Sequence, residues 1–146
     1  MYLIRMIPGE EMTVFSGTAS DRAVEILNRC IRADSVTVSV YETPVFVDCG
    51  SNLEKIICPI CGAEVPMDWW GEAMDTASAT EFTDLRAELP CCGAQASLND
   101  LMYDFPCGFA RWVLEIAEPA DEIPAAILSE LASVLGEELR TVKVHY

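Results

Sequence analysis

Histidine is almost missing from this sequence, because His145 is the only one among 146 residues. Catalytic zinc sites usually include histidine or carboxylate ligands and keep one position open for water. A Ser-His-Asp arrangement would depend wholly on His145, and the H-x-E motif of zinc deaminases does not occur. The scarcity of histidine therefore argues against an enzyme. His145 alternates with Val144 and is expected to face solvent on the last strand.

Basic residues and phosphate-binding motifs are also scarce. The chain has 9 lysines and arginines against 24 aspartates and glutamates, which gives a net charge of −15. No G-x-x-x-x-G-K-[ST], G-x-G-x-x-G or G-x-S-x-G pattern occurs. Because so acidic a chain repels phosphate, we expect neither nucleic acid nor an anionic membrane surface as a partner.

Long apolar runs are absent as well. No stretch approaches the roughly 18 apolar residues that a transmembrane helix requires, and Met1–Pro8 lacks the basic start and long apolar centre of a signal peptide. The cysteines number 7, an odd count that does not suit a complete set of disulfides. We expect a cytoplasmic protein, and in that reducing compartment closely paired cysteines indicate metal or redox chemistry.

The chain does contain enough apolar material for one core. Hydrophobic residues make up 51% of the sequence, so residues 1–146 are predicted to form a single α+β domain. Both ends predict a strand, a helix and a strand. The expected N-terminal elements are a strand over Tyr2–Ile7, a helix over Asp21–Ile31 and a strand over Val36–Val40, and strands at Pro44–Cys49 could extend the sheet and change the number of strands. The expected C-terminal elements are a strand over Phe109–Ile116, a helix that Asp121 caps and Gly136 ends, and a strand over Leu139–His145. Two such β-α-β units in one sheet predict a ferredoxin-like arrangement, an antiparallel sheet with both helices on one face.

Residues 50–107 differ from both ends and are predicted to be an inserted module. Ile56-Ile57 leads into one pair of cysteines, and the alternating stretch Phe82–Leu89 is expected to form a strand before the other. A short helix is predicted over Asp68–Met74. Ser97 and Asp100 resemble a capping box, which predicts a further short helix over Leu98–Tyr103.

The cysteines of this module fall into two tight pairs. Cys58-Pro59-Ile60-Cys61-Gly62 is a C-x2-C turn with a trailing glycine, and Cys91-Cys92-Gly93 is the second pair. The glycine lets the backbone curl until its N–H groups point at the thiolates, and four thiolates suit tetrahedral zinc. We therefore predict one Zn²⁺ held by Cys58, Cys61, Cys91 and Cys92.

This zinc is expected to be structural. Four thiolates around Zn²⁺ carry a net charge of about −2, which makes the ion a poor Lewis acid. A thioredoxin-like redox pair at Cys58 and Cys61 is disfavoured, because such a pair should open a helix and a glycine follows here. Buried reduced thiols without metal are the other alternative.

The two pairs and the strands that lead into them resemble a zinc ribbon, over roughly a third of the chain. The first turn matches the pattern of that family, whereas the second departs from it. If Cys92-Gly93 corresponds to Cys61-Gly62, the remaining ligand position falls on Leu89, which cannot bind metal. Cys91 would then bind from an adjacent position. Cys107 is the main alternative for the fourth ligand, and Cys49 is another.

The same module concentrates negative charge. Between Ile56 and Ala110 there are nine acidic residues and one basic residue, Arg86, which gives a local charge of −8. Many zinc ribbons bind nucleic acid through basic faces, and this charge excludes that mode here. With Trp69 as a candidate to line a groove, the acidic surface suggests binding of a basic protein, as an immunity protein neutralises a nuclease toxin. Trp70, Phe109 and Trp112 are expected in the core.

An alternative hypothesis is an enzyme or small-molecule binder. Its pocket would lie between the zinc module and the sheet. Asp68, Asp75 or Asp100 would supply the polar groups of that pocket.

Overall fold

The computed structural model describes residues 1–146, a mixed α/β structure with three α-helices and a four-stranded antiparallel sheet. The strands are β1 (Tyr2–Ile7), β2 (Ser35–Val47), β3 (Ile56–Ile57), β4 (Arg86–Glu88), β5 (Gln95–Ser97), β6 (Met102–Tyr103), β7 (Gly108–Ala117) and β8 (Arg140–His145). The α-helices are α1 (Gly17–Cys30), α2 (Met67–Ser78) and α3 (Ala125–Leu135). Single 3₁₀ turns lie at Gly50–Asn52 and Leu98–Asp100. No helix is both long and apolar enough to cross a membrane.

The main sheet has the strand order β2-β7-β1-β8, with every neighbouring pair antiparallel. Side chains alternate along a strand, so Ile4, Met6 and Leu114 share one face of the sheet. Residues of α1 and α3 pack into the same hydrophobic cluster as these three side chains. Helices α1 and α3 therefore cover the same face of the sheet.

Helix α1 begins four residues before the predicted Asp21. The Ser16 hydroxyl accepts a hydrogen bond from the Ala19 N–H at 3.1 Å, which satisfies a free donor of the first turn. One turn further on, the buried Ser20 hydroxyl accepts from Trp112 Nε1 at 2.9 Å. The extra turn thus gives the buried tryptophan of β7 its hydrogen-bond partner. Trp112 and Phe109 lie in the core as expected, whereas Trp70 is only half-buried.

The cysteine-bearing stretch contains two small sheets, β3 with β6 and β4 with β5, together with α2. It also has its own hydrophobic cluster, which includes Ile56, Leu85, Leu89 and Leu98. Phe109 of β7 reaches into this cluster and is fully buried there. The stretch is therefore packed against the central part of the main sheet.

Three local predictions are wrong. The strand expected over Phe82–Leu89 is reduced to Arg86–Glu88, because Phe82 has a φ of 57° that no strand accommodates. The helix expected over Leu98–Tyr103 is a single 3₁₀ turn followed by β6, and the Ser97 hydroxyl accepts from Asn99 N–H at 3.2 Å without a return bond from Asp100.

The third wrong prediction concerns the start of helix α3. Asp121 does not cap this helix, since Pro124 occupies the N-cap position and makes no side-chain hydrogen bond. Its C-terminus is as predicted, with Gly136 in the left-handed conformation at a φ of 86°. Pro44 to Val47 do not add a strand to the sheet, because they continue strand β2.

Asn99 is a buried polar residue, 1% exposed, that joins the cysteine-bearing stretch to the main sheet. Its Oδ1 accepts from Phe109 N–H at 2.9 Å and from Arg140 Nη1 at 3.0 Å. Its Nδ2 donates to Gly9 O and to Glu11 Oε2, both at 3.2 Å. All of the polar groups of this amide are thus satisfied inside the protein.

Replacing Asn99 with alanine should therefore lower the free energy of unfolding by about 2–4 kcal/mol. The substitution leaves the Phe109 N–H without its acceptor and removes one of the two acceptors of Arg140 Nη1, the other being Cys107 O. Chemical denaturation followed by circular dichroism measures the change. Asn28→Ala, on the exposed face of α1, is the matched control and should change stability by less than about 0.5 kcal/mol. Equal effects of the two substitutions would contradict the structural role of Asn99.

Candidate metal centre

The first cysteine turn is closed by two backbone hydrogen bonds. Cys58 N–H donates to Ala63 O at 2.8 Å, and Gly62 N–H donates to Cys58 O at 3.1 Å. Gly62 has a φ of 75°, which a glycine adopts without strain. This tight turn carries the sulfurs of Cys58 and Cys61 on one side of its backbone.

The second turn has the same pattern of bonds, although its sequence differs. Leu89 N–H donates to Ala94 O at 2.9 Å, and Gly93 N–H donates to Leu89 O at 2.9 Å. Gly93 has a φ of 71°, close to that of Gly62. The two turns therefore have matching backbones, over residues 58–63 and 89–94.

This match fixes the correspondence between the pairs. Counting back from the glycines, Cys92 matches Cys61, and Leu89 takes the place that Cys58 has in the first turn. Both Cys58 and Leu89 are 1% exposed, so each anchors its turn in the hydrophobic cluster of this region. Leucine provides the anchor in the second turn but supplies no ligand.

Cys91 consequently occupies the third position of its turn, where the first turn has Ile60. Ile60 is 63% exposed and points away from the core, and Cys91 is exposed as well. The fourth sulfur thus reaches the others from the outer side of the turn.

All four sulfurs converge despite this asymmetry. The Sγ atoms of Cys58 and Cys92 are 3.9 Å apart, and those of Cys61 and Cys91 are 3.4 Å apart. The four atoms all lie within 4.8 Å of one another. In a tetrahedral site with Zn–S bonds of about 2.3 Å, sulfurs are about 3.8 Å apart. The cluster of Cys58, Cys61, Cys91 and Cys92 could therefore hold a metal ion.

Backbone N–H groups favour the thiolate form of Cys58. Its Sγ accepts from Ile60 N–H at 3.3 Å and from Cys61 N–H at 3.4 Å. Burial alone raises the pKa of this thiol, but the two N–H groups, together with hydrogen bonds from Cys91 and Cys61, outweigh that effect and bring its pKa to about 6. Partial desolvation and hydrogen bonds to neighbouring sulfurs raise the pKa of Cys91 to about 12. In the metal-free cluster the first thiolate is therefore on Cys58.

The other cysteines lie elsewhere. Cys49 and Cys107 are 2% and 1% exposed and belong to a different hydrophobic cluster, with Ile7 and Val47. Burial raises the pKa of both thiols, so both are protonated. The hydrogen bond between them raises the pKa of Cys107 further and lowers that of Cys49, without outweighing burial. The structure does not bring either alternative ligand to the four-sulfur cluster. Cys30 is exposed on α1.

The single histidine is also away from the cysteines. His145 is exposed at the end of β8, and its ring stacks on Tyr2 with the centroids 4.3 Å apart. It contributes no ligand to the cluster, so every donor atom there is a cysteine sulfur.

The equivalence of the two turns is also visible in the sequence, as a repeated motif. The pattern P-x-C-G-A occurs as Pro59–Ala63 and again as Pro90–Ala94. This repeat aligns the two turns without any structure and identifies Leu89 as the anchor of the second. The alanines matter because their carbonyl oxygens accept the hydrogen bonds that close the turns.

Comparison with known proteins gives no match: no family model fits the chain, and neither a curated protein nor a solved structure matches it.

Leu89→Cys combined with Cys91→Ile gives the second turn the sequence pattern of the first. We expect the double variant to retain its metal and to lose it more slowly to a chelator. The new sulfur would be buried and would face the N–H groups of its own turn, as the sulfur of Cys58 does. Competition with a chelator measures the rate of metal loss from the variant and from the unmodified protein. Cys91→Ile alone should bind metal weakly, and a double variant no better than this single one would contradict the equivalence of the two turns.

Proposed function

We propose that this chain binds one structural Zn²⁺ through Cys58, Cys61, Cys91 and Cys92, and that the acidic surface around this site binds a basic protein. The observation that carries the proposal is the convergence of four sulfurs within 4.8 Å. Thiolate-only coordination is typical of structural zinc, and it leaves no position for water. The ion would fasten two turns that the backbone does not otherwise join.

The arrangement of the fold that goes with this proposal is ferredoxin-like. The strand order β2-β7-β1-β8, with α1 and α3 on the same face, supports it. Residues 50–107 would be an inserted zinc-ribbon-like module within one α+β domain. The separate hydrophobic cluster of this stretch supports that division.

The charge distribution supports a basic protein as partner. All nine acidic residues between positions 56 and 110 are exposed. Glu72, Asp84 and Glu88 line a groove of about 300 Å³ between α2 and β4, and half-buried Trp69 lines it too. Arg86, the one basic residue of the stretch, is paired with Asp84 at 3.4 Å. Acidic groups beside an aromatic ring are suited to lysine and arginine side chains.

The hypothesis of a small-molecule pocket has less support. The cavity at the junction of module and sheet measures about 330 Å³ and includes Tyr103, Cys107 and Arg140 in its lining. Asp68, Asp75 and Asp100 line none of the five main cavities. The carboxylates that this hypothesis needs therefore face solvent rather than a pocket.

Metal analysis of protein purified without chelator should give about one zinc ion per chain. Cys58→Ser should remove the metal and destabilise the protein severely, because structural zinc binding contributes on the order of 10 kcal/mol to folding. Cys30→Ser changes an exposed cysteine outside the cluster and should leave the zinc content unchanged. If Cys58→Ser or Cys92→Ser kept full zinc, the proposed ligand set would be wrong.

The partner is tested by a pull-down from native lysate with matched charge variants. Glu72→Arg with Glu88→Arg alters the groove and should abolish capture of a stoichiometric partner, because it replaces attraction of basic side chains with repulsion. The control variant, Asp121→Arg with Glu130→Arg, changes the net charge by the same amount as the groove variant. Asp121 lies before α3 and Glu130 lies within it, and both are exposed, so this control should leave capture intact. A lysate that yields no stoichiometric partner, or equal losses for both variants, would contradict the proposal.

A further inference from the structure

The four sulfurs of the metal centre are unequally protected. Cys58 is 1% exposed, and its sulfur accepts two backbone N–H groups. Cys61, Cys91 and Cys92 are exposed to solvent. An oxidant in solution therefore reaches these three residues before it reaches Cys58.

Among the exposed sulfurs, those of Cys61 and Cys91 come from different turns and lie close together. The Cys61 and Cys91 Sγ atoms are 3.4 Å apart, compared with 3.9 Å for Cys58 and Cys92. A disulfide needs an S–S bond of about 2.05 Å, so the Cys61 and Cys91 sulfurs have the shorter distance to close. The hydrogen bonds that hold the Cys58 sulfur inside its turn have to break before that sulfur moves.

We propose that Cys61 and Cys91 form an oxidation site, at which a hydroperoxide converts the two ligands to a disulfide and thereby expels the metal ion. This inference rests on the metal binding proposed above. It adds that oxidation releases the metal and that a hydroperoxide is the reactant. The unusual position of Cys91 in its turn places the Cys91 sulfur where it can react in this way.

The reaction balances with hydrogen peroxide as the oxidant. The Cys91 thiolate attacks one oxygen, the O–O bond breaks, and a sulfenic acid and hydroxide form. The Cys61 thiolate then attacks the Cys91 sulfur, the S–S bond forms, and the S–O bond breaks with loss of a second hydroxide. Each sulfur loses one electron and the peroxide gains two. A disulfide sulfur carries no negative charge, so the ion loses two of its four ligands and dissociates.

The test uses the full chain loaded with zinc under anaerobic conditions. Stoichiometric hydrogen peroxide should release about one zinc ion for each disulfide formed, which a chromogenic zinc indicator detects. The intact mass of the chain after zinc release should be lower than that of the reduced, zinc-free chain by two hydrogens. Peptide mapping should show a disulfide between Cys61 and Cys91. A reductant followed by zinc should restore the starting protein. The control variant Cys30→Ser should release zinc under peroxide at the same rate as the unmodified chain.

The outcomes separate this inference from the zinc site itself. A chain that binds no zinc after anaerobic loading overturns both proposals. A zinc-loaded chain that keeps its metal under peroxide overturns only the oxidation site. A disulfide that maps to Cys58 and Cys61 or to Cys91 and Cys92, or a sulfinic acid without any link, also overturns it. The mapping is done on the unmodified sequence, so the result does not depend on whether a Cys91 variant folds.

Discussion

Four sulfurs can meet only if two tight turns from separate hairpins are held at a fixed distance and angle. The buried first residue of each turn provides that constraint: Cys58 in one and Leu89 in the other, both in the same hydrophobic cluster. Neither hairpin is long enough to be stable alone, since the first has only the bridge between Ile57 and Glu64 and the second has the three-residue strands β4 and β5. The turns thus depend on the cluster, and a bound ion would add a second link on the outer side.

The cluster in turn depends on the main sheet. Phe109 of β7 lies within it, and Phe46 of β2 packs against it, with the two rings 5.1 Å apart. Asn99 adds hydrogen bonds to Phe109 N–H and Arg140, and Gly108 leaves the space in which Arg140 and Asn99 meet. A Cβ at position 108 would clash with Arg140 Nη1 and Asn99 Oδ1, so any other residue there would have to displace both side chains. The position of the four cysteines of the metal centre is therefore decided partly by residues outside that centre.

The sequence was informative where structure is local and periodic. The alternating stretch Val36–Val40 and the paired cysteines with their glycines could be recognised, and the repeated P-x-C-G-A could have aligned the two turns. Phe82 shows the limit of this approach, because the alternation after it predicts a strand while its left-handed φ prevents one. Asn99 shows another limit: its burial results from partners at positions 9, 11, 109 and 140, which no local pattern connects. The four-sulfur distances likewise depend on tertiary packing.

Strand β7 contributes buried side chains to all three hydrophobic clusters. Phe109 belongs to the cluster of the cysteine turns, Ala110 and Val113 to the cluster with Cys49 and Cys107, and Trp112 to the one beneath the helices. No cluster can lose its structure without exposing part of this strand. We therefore expect unfolding to be cooperative across the whole chain, with the amides of β7 exchanging their hydrogens last.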